Sequence, residues 1–256
     1  MTEEVTQIIL AVNLGSPNAP AEKEVRTYLR EFLMDGNVID VPRPLRDLIV
    51  KGLLLPTRPK KSGEAYAAIW TDEGSPLIVN TYHVVDRVHP LVPVPILVAM
   101  RYGQPAIADT IKEAFITYPH LKRIVLLPLY PHFAMSTIGT VQDLTRKYVR
   151  KHYPDIELEV YKPFYNQAEY IEALSETIKS GLPDDHHLLF SYHGLPVRHL
   201  KKSDITGAHC YKTANCCQVP SEAHQFCYKH QVLETTRLAA EKIGLDEAQY
   251  DIGFQS

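Results

Sequence analysis

The residues best suited to chemistry in this sequence stand where apolar runs end. His193 follows the run Leu188-Leu189-Phe190 and precedes Gly194-Leu195-Pro196, a pattern that predicts a buried strand stopping just after the histidine. Imidazole titrates near neutral pH, so a histidine held at a strand end could accept and release protons. The same side chain could instead do no more than cap the turn, and the motif alone leaves both interpretations open.

Three other apolar segments end in residues that could bind a ligand. The first segment, which begins at residue 8, ends in Leu14-Gly15. The segment 95–100 is followed by Arg101-Tyr102, and the segment 123–129 is followed by Tyr130-Pro131-His132. Because the carboxyl ends of parallel strands meet at one edge of a sheet, where ligands bind in open α/β folds, we expect these residues and His193 to line a binding site. Coincidence at four strand ends is the alternative.

All four cysteines fall in one short segment, at Cys210, Cys216, Cys217 and Cys227. Four thiolates could close a tetrahedral zinc site or ligate an iron–sulfur cluster. Zinc sites favour C-x2-C spacing, which adjacent cysteines do not provide, whereas a two-iron cluster divides its ligands between two irons. The pattern favours a [2Fe–2S] cluster, with structural zinc, free thiols or disulfides left open.

The segment that carries the cysteines is polar, so little apolar surface is available to order it and we expect metal binding to be part of its folding. It also contains three histidines that could donate to a metal, although four cysteines make them unnecessary: His209, His224 and His230.

Strand-like and helix-like segments alternate along the chain, which predicts an α/β fold with parallel sheets covered by helices. The predicted strands are 8–15, 95–100, 123–129, 157–160, one beginning at 188 and one at 250, and the main predicted helices are 21–33, 60–70, 107–118, 141–152, 167–181 and 232–243. No glycine-rich nucleotide motif accompanies them.

The length of 256 residues accommodates two such sheets. We place the first lobe at residues 1–163 and the N-terminal part of the second at 164–256, with a cysteine-bearing insertion at about 203–228. Because the last strand begins at Tyr250 and would lack neighbours, we expect the second lobe and the sequence to be incomplete at Ser256.

Composition excludes several classes of protein. A net charge of −3 gives no electrostatic basis for binding nucleic acid. The longest apolar stretch, residues 91–100, is too short to span a bilayer. The acidic N-terminus is unlike a secretory signal, and crowded cysteines suit a metal site better than a disulfide framework, so we expect a cytoplasmic protein.

The sequence resembles the ferrochelatase family through six motifs in the family's order. They are residues 12–17 (VNLGSP), 70–77 (WTDEGSPL), 100–103 (MRYG), 127–132 (LPLYPH), 191–196 (SYHGLP) and 253–256 (GFQS). The resemblance implies two Rossmann-like lobes with a porphyrin in the cleft between them. It also implies insertion of ferrous iron into that porphyrin, protoporphyrin IX or coproporphyrin III, in haem biosynthesis.

The resemblance also implies roles for individual residues. His193 matches the catalytic histidine, at which the substrate iron is also expected, Arg101 and Tyr102 match pocket-lining residues, and Leu14 lies where the family contacts the macrocycle. Arg101 could pair with a propionate or bridge the two lobes. Residues 45–55 match an apolar lip associated with peripheral membrane contact, and some bacterial relatives carry a [2Fe–2S] cluster.

One family residue has no counterpart here, a catalytic glutamate in the C-terminal part of the second lobe. We therefore expect either a truncated sequence or an inactive product. Two other functions stay open, a porphyrin or haem carrier without insertion activity and an iron–sulfur redox sensor on a chelatase scaffold. Cobalt insertion into a sirohydrochlorin-type ring should require more basic residues than this sequence offers.

Overall fold

The first sheet consists of four parallel strands in the order β2-β1-β3-β4. The computed structural model describes residues 4–183 and 187–255. Its first strands are β1 (Gln7–Asn13), β2 (Ile96–Met100), β3 (Arg123–Pro128) and β4 (Glu157–Val160). Asn13 pairs with Met100 and Val12 with Pro128, so the carboxyl ends of three strands lie at one edge. The predicted parallel sheet is confirmed.

Helices connect these strands, as parallel pairing requires. They are α1 (Glu22–Leu33), α2 (Arg43–Asp47), α3 (Leu55–Ile69), α4 (Pro76–Val88), α5 (Ile107–Thr117) and α6 (Thr140–His152). In α1 the apolar side chains recur at helical spacing, and Val25, Tyr28, Leu29 and Leu33 are buried on one face. The helix predicted at 60–70 begins earlier, at Leu55, because Pro56 is compatible with a first helical turn.

The apolar segment 45–55 is helical but irregular. It runs from α2 through a π-helical stretch, Leu48–Leu54, into α3. Val50 and Leu55 are buried, whereas Leu48 and Leu53 are each 66% exposed. Within the described residues, we find no helix with the length and hydropathy needed to cross a membrane.

The second sheet is a parallel pair, β5 (Leu188–His193) and β6 (Tyr250–Gln255), so the expectation that the strand beginning at Tyr250 would lack neighbours is wrong. Its helices are α7 (Ala168–Gly181), α8 (Val197–Ser203) and α9 (Tyr228–Ile243), and α9 ends at Gly244 in the left-handed conformation. The sequence did not predict α8, and it placed the start of α9 four residues late. The prediction that β5 ends at His193 is confirmed, but the prediction that this strand is buried is wrong, because only Phe190 is buried and Leu189 is exposed.

The chain divides into two compact units. The first comprises Met1–Leu129 and Ser136–Tyr161, and the second comprises Tyr130–Met135 and Lys162–Ser256. The short segment Tyr130–Met135 belongs with the second unit although it directly follows β3. Its Phe133 N–H donates to the side-chain oxygen of the fully buried Gln231 on α9, at 2.6 Å.

Gly15 allows the loop after β1 to approach the loop after β2. Its φ is +99°, and a Cβ at this position would lie 1.7 Å from the carbonyl oxygen of Tyr102. That carbonyl cannot easily withdraw, because the Tyr102 N–H donates to the Leu14 carbonyl at 2.9 Å. The approach of the two loops therefore requires glycine at position 15.

We expect Gly15→Ala to lower the free energy of unfolding by more than about 2 kcal/mol, because left-handed backbone strain adds to a backbone clash. Urea unfolding followed by circular dichroism measures the change. Gly74→Ala is the matched control, since Gly74 has φ +117° with no described atom within 4 Å of the new Cβ. Equal losses in the two variants would contradict the proposed clash.

Candidate active site

The edge of the first sheet presents Arg101 and Tyr102 at the end of β2, and both contact Asp35. The Arg101 guanidinium forms an ion pair with Asp35, and the two side chains are only 13% and 8% exposed. Arg101 Nε also donates to Thr140 Oγ1 at 2.6 Å, and its guanidinium lies 4.3 Å from the centre of the Tyr102 ring. Both polar partners of Arg101 therefore lie in the first unit.

Asp35 accepts hydrogen bonds from several groups at once. The Tyr102 hydroxyl donates at 2.9 Å, the Asn37 N–H donates at 2.7 Å, and the Thr140 hydroxyl donates as well. Burial raises the pKa of Asp35, but these donors and the Arg101 charge outweigh burial and lower the pKa below its usual value. The site thus holds an ionised carboxylate.

Tyr102 and Leu14 differ in how they could meet a ligand. Tyr102 is fully buried, and burial raises the pKa of its phenol, so its hydroxyl remains a hydrogen-bond donor to Asp35. Leu14 is partly buried and packs against the cluster that contains Tyr28 and Tyr102. Leu14 can therefore present an apolar surface, whereas Tyr102 can act only through its neighbours.

An open cavity of about 590 Å³ adjoins this network in the first unit. Arg101 and Asp35 line it, together with Arg30 and Lys51 from α1 and the π-helical stretch. Lys51 is paired with Asp47, and Glu31 lines the same cavity, so Arg30 is the lining cation that suits a ligand carboxylate best.

In the second unit, His193 is the last residue of β5 and its side chain is exposed. The next residue, Gly194, donates its N–H to the Gln255 carbonyl at 2.5 Å. The backbone after the imidazole is thus held by β6, while His193 itself is exposed.

His132 lies among aromatic residues of the same unit. Its ring meets the rings of Tyr192 and Tyr228 edge-on, with centroids 5.8 and 6.0 Å apart, and its Nε2 lies 2.9 Å from Thr235 Oγ1. Burial lowers the pKa of His132 to about 4, so the ring is neutral at neutral pH. Tyr130 is partly buried at the start of the same segment.

The four cysteines are free thiols, and all but Cys217 are buried. The Cys217 thiol donates a hydrogen bond to Cys227, which lowers the pKa of Cys227 to about 6 and raises that of Cys217. Burial, followed by the neighbouring Cys227 and Cys216, raises the pKa of Cys210 to about 11. Among the described residues, no group of three or more His, Cys, Asp or Glu side chains is arranged to hold a metal ion.

Side chains within the insertion bind its own backbone, which sequence reasoning missed. Asp204 accepts the N–H groups of Thr206, His209 and Cys210 at 2.7–2.9 Å. Imidazole nitrogens meet two cysteine carbonyls, as follows: His209 at 2.6 Å and His224 at 2.9 Å from Cys216, and His230 at 2.8 Å from Cys217. These hydrogen bonds order the segment in addition to any bound metal, and its histidines hold the backbone of Cys216 and Cys217 in place.

The structure thus groups the predicted site residues by unit. Leu14, Arg101 and Tyr102 follow strands of the first sheet, as predicted for one edge. The remaining predicted residues belong to the second unit: Tyr130, His132, His193 and the four cysteines. The contacts of Asp35 with Arg101 and Tyr102, and of the Tyr228 ring with His132, were not indicated by the sequence, since neither Asp35 nor Tyr228 is part of a motif.

Comparison with known proteins gives consistent matches. A family model described as Ferrochelatase matches residues 6–256. The chain is 45% identical over 251 residues to a ferrochelatase of Pseudomonas fluorescens (strain Pf0-1), covering 97% of this chain and 73% of that protein. It is 44% identical over 259 residues to a ferrochelatase of Stutzerimonas stutzeri (strain A1501), covering 100% of this chain and 74% of that protein.

Replacing Asp35 would leave the Arg101 guanidinium buried without its counter-charge. We expect Asp35→Asn to lower the free energy of unfolding by about 3 kcal/mol near neutral pH. Because the folded pKa lies below the unfolded value, the wild-type carboxylate stabilises the fold above about pH 4 and loses this contribution as pH falls through the folded pKa. Urea unfolding at several pH values measures this, and the difference in free energy of unfolding between the wild type and Asp35→Asn should become smaller as the pH falls.

Asp47→Asn is the control for that experiment, because Asp47 pairs with the exposed Lys51 on the surface of the same unit. A surface pair contributes little, so this variant should unfold almost like the wild type. Similar unfolding midpoints for the Asp35 and Asp47 variants would show that the buried Asp35–Arg101 pair contributes no more to stability than a surface pair.

Proposed function

Because the chain belongs to the ferrochelatase family, enzymes that insert ferrous iron into porphyrin in haem biosynthesis, we propose that His193 accepts pyrrole protons during insertion. The observation that supports this proposal is the exposed His193 at the end of β5, whose neighbour Gly194 donates its N–H to the Gln255 carbonyl. Metal insertion releases two N–H protons from a rigid ring, and imidazole can take up a proton near neutral pH. The same nitrogen is a suitable ligand for the incoming iron.

We propose Leu14, Tyr130 and His132 as porphyrin contacts, since each keeps part of its surface accessible. A neutral His132 would not add charge beside an apolar macrocycle. Arg101 and Tyr102 are already engaged by Asp35, so we assign them to holding the edge of the first sheet. Arg30, which lines the cavity beside them, is then our candidate cation for substrate carboxylates, of which protoporphyrin IX and coproporphyrin III carry different numbers.

The further prediction of peripheral membrane contact through residues 45–55 is supported by the exposed side chains of Leu48 and Leu53. The cytoplasmic location stays a prediction from the sequence.

The test of the catalytic proposal is His193→Ala in the complete gene product. We expect iron insertion to fall by about 10²-fold or more, with porphyrin affinity retained, because only the proton acceptor is removed. Steady-state insertion kinetics and porphyrin fluorescence titration measure the two quantities. His187→Ala is the matched control, since this exposed histidine precedes the opposite end of β5 and pairs with Asp251.

Near-normal turnover in His193→Ala would return His193 to the role of a turn cap. Porphyrin binding without any insertion by the wild-type protein would instead indicate a carrier.

We also propose that Cys210, Cys216, Cys217 and Cys227 hold a [2Fe–2S] cluster. Their thiols are close enough to shift one another's pKa, and the contact between Cys217 and Cys227 provides one ligand pair. Lys229 places positive charge near Cys217, which favours an anionic cluster, whereas at Cys210 the negative charge of Asp204 opposes that of Lys201. When bound, the cluster would cross-link the segments that carry its ligands, and insertion itself needs no net electron transfer.

Elemental analysis of the purified protein tests the cluster. We expect two irons and two labile sulfides per chain with a red-brown absorbance, and loss of all three in Cys216→Ser, because thiolate ligands hold the irons. Thr213→Ala, an exposed position in the same insertion, should retain them. One zinc without sulfide would contradict the proposal and support the structural-zinc alternative.

A further inference from the structure

We propose that His132 is a ligand for the substrate iron through its Nδ1 atom, and that Thr235 is the positioning residue that keeps this nitrogen unprotonated. The Thr235 hydroxyl has one proton, and it donates that proton to the Tyr165 carbonyl at 2.8 Å. Its contact with His132 Nε2 at 2.9 Å is therefore a hydrogen bond that the imidazole donates. The inference deepens the proposed role of His132 as a porphyrin contact and rests on that role.

The opposite tautomer of His132 would leave two polar groups without partners. If Nε2 accepted the Thr235 proton, the Tyr165 carbonyl would lose its donor. The proton on Nδ1 would also lack an acceptor, because within the described residues the imidazole hydrogen-bonds only Thr235. Since unmade hydrogen bonds of buried groups are costly, the ring keeps its proton on Nε2 and its lone pair on Nδ1.

The segment that carries His132 is held by one face of α9. Gln231 and Thr235 are four residues apart in this helix, so their side chains share a face, and both are fully buried. Gln231 donates its side-chain amide to two carbonyls of the preceding segment at 3.1 and 2.9 Å, and its oxygen accepts the Phe133 N–H at 2.6 Å. The backbone directly after His132 and the imidazole itself are therefore fixed to the same helix.

Aromatic rings fix the plane of the imidazole. The Tyr192 and Tyr228 rings meet His132 edge-on, with centroids 5.8 and 6.0 Å away. The Tyr192 hydroxyl lies 2.7 Å from Thr236 Oγ1, on the residue that follows Thr235 in α9. With its plane and its Nε2–H both held, the ring presents the Nδ1 lone pair in one direction.

This arrangement is typical of histidines that bind metals. Such histidines present one ring nitrogen to the metal and donate the other N–H to an oxygen that fixes the tautomer, and imidazole is a suitable ligand for iron. Burial lowers the pKa of His132 to about 4, so the lone pair stays available at neutral pH. A ring that resists protonation is a poor proton acceptor, and we therefore assign His132 to the metal and leave proton uptake to His193.

The tautomer is tested by ¹⁵N NMR of protein labelled at histidine. We expect His132 to have an unprotonated Nδ1 and a protonated Nε2, with its signals assigned by their loss in His132→Gln. Thr235→Val removes the acceptor of Nε2–H and should shift the ring toward the other tautomer, whereas Thr235→Ser should retain the wild-type signals. A protonated Nδ1 in the wild-type protein would overturn the inference.

The same spectra test iron binding without any turnover. Ferrous iron added anaerobically, in the absence of porphyrin, should broaden the His132 ring signals through its paramagnetism. The signals of His187, an exposed histidine of the same unit, should stay sharp at those iron concentrations. Broadening of His187 before His132 would contradict an iron ligand at position 132.

Steady-state insertion kinetics measure the effect on the reaction. We expect His132→Gln and Thr235→Val to raise KM for ferrous iron about tenfold or more with KM for porphyrin unchanged, and Thr235→Ser to restore the wild-type value. Thr145→Val is the matched control, because this buried threonine of α6 donates to a carbonyl of its own helix at 2.8 Å, and its KM for iron should not change.

The outcomes separate this inference from the proposed function. A rise in KM for porphyrin alone would overturn the inference and leave His132 as a porphyrin contact. Near-normal turnover in His193→Ala, together with a raised KM for iron in Thr235→Val, would refute the proposed proton acceptor and support the iron ligand.

Discussion

A carboxylate removed from water must be matched by donors, and Asp35 meets this constraint with groups from separate segments of the first unit. Arg101 and Tyr102 reach it from the end of β2, Thr140 from the start of α6, and Asn37 from its own loop. Without these donors, burial would neutralise the acid or destabilise the fold. The Asp35 carboxylate therefore holds the end of β2, the start of α6 and its own loop together at this edge of the first sheet.

In the second unit it is the backbone of the cysteine insertion, and not a buried side chain, that needs hydrogen-bond partners. Its main-chain carbonyls and N–H groups form hydrogen bonds with side chains of the same segment. His209 and His224 share the Cys216 carbonyl, and Asp204 gathers the N–H groups that lead to Cys210. A polar loop with little apolar surface can be ordered in this way because each hydrogen bond removes an otherwise unsatisfied backbone group.

The sequence was sufficient for the parallel sheets and for the end of β5, because apolar runs, proline and glycine are local signals. It could not reveal Asp35, which lies between two helices and pairs with residues more than 60 positions away. It also left the role of Arg101 open, since a cation at a sheet edge has many plausible partners. The turn at Asp204 could have been found, because Asp followed two residues later by Thr favours such a turn.

The order of strands in the first sheet has a consequence for synthesis of the chain. The central strand β1 begins at Gln7, but its two neighbours begin only at Ile96 and Arg123. At a translation rate of about 5–20 residues per second, β1 waits on the order of 10 s before both partners have been made. During that interval the nascent chain exposes an apolar strand with two unsatisfied edges, which is the kind of segment that chaperones bind and that aggregates when they do not.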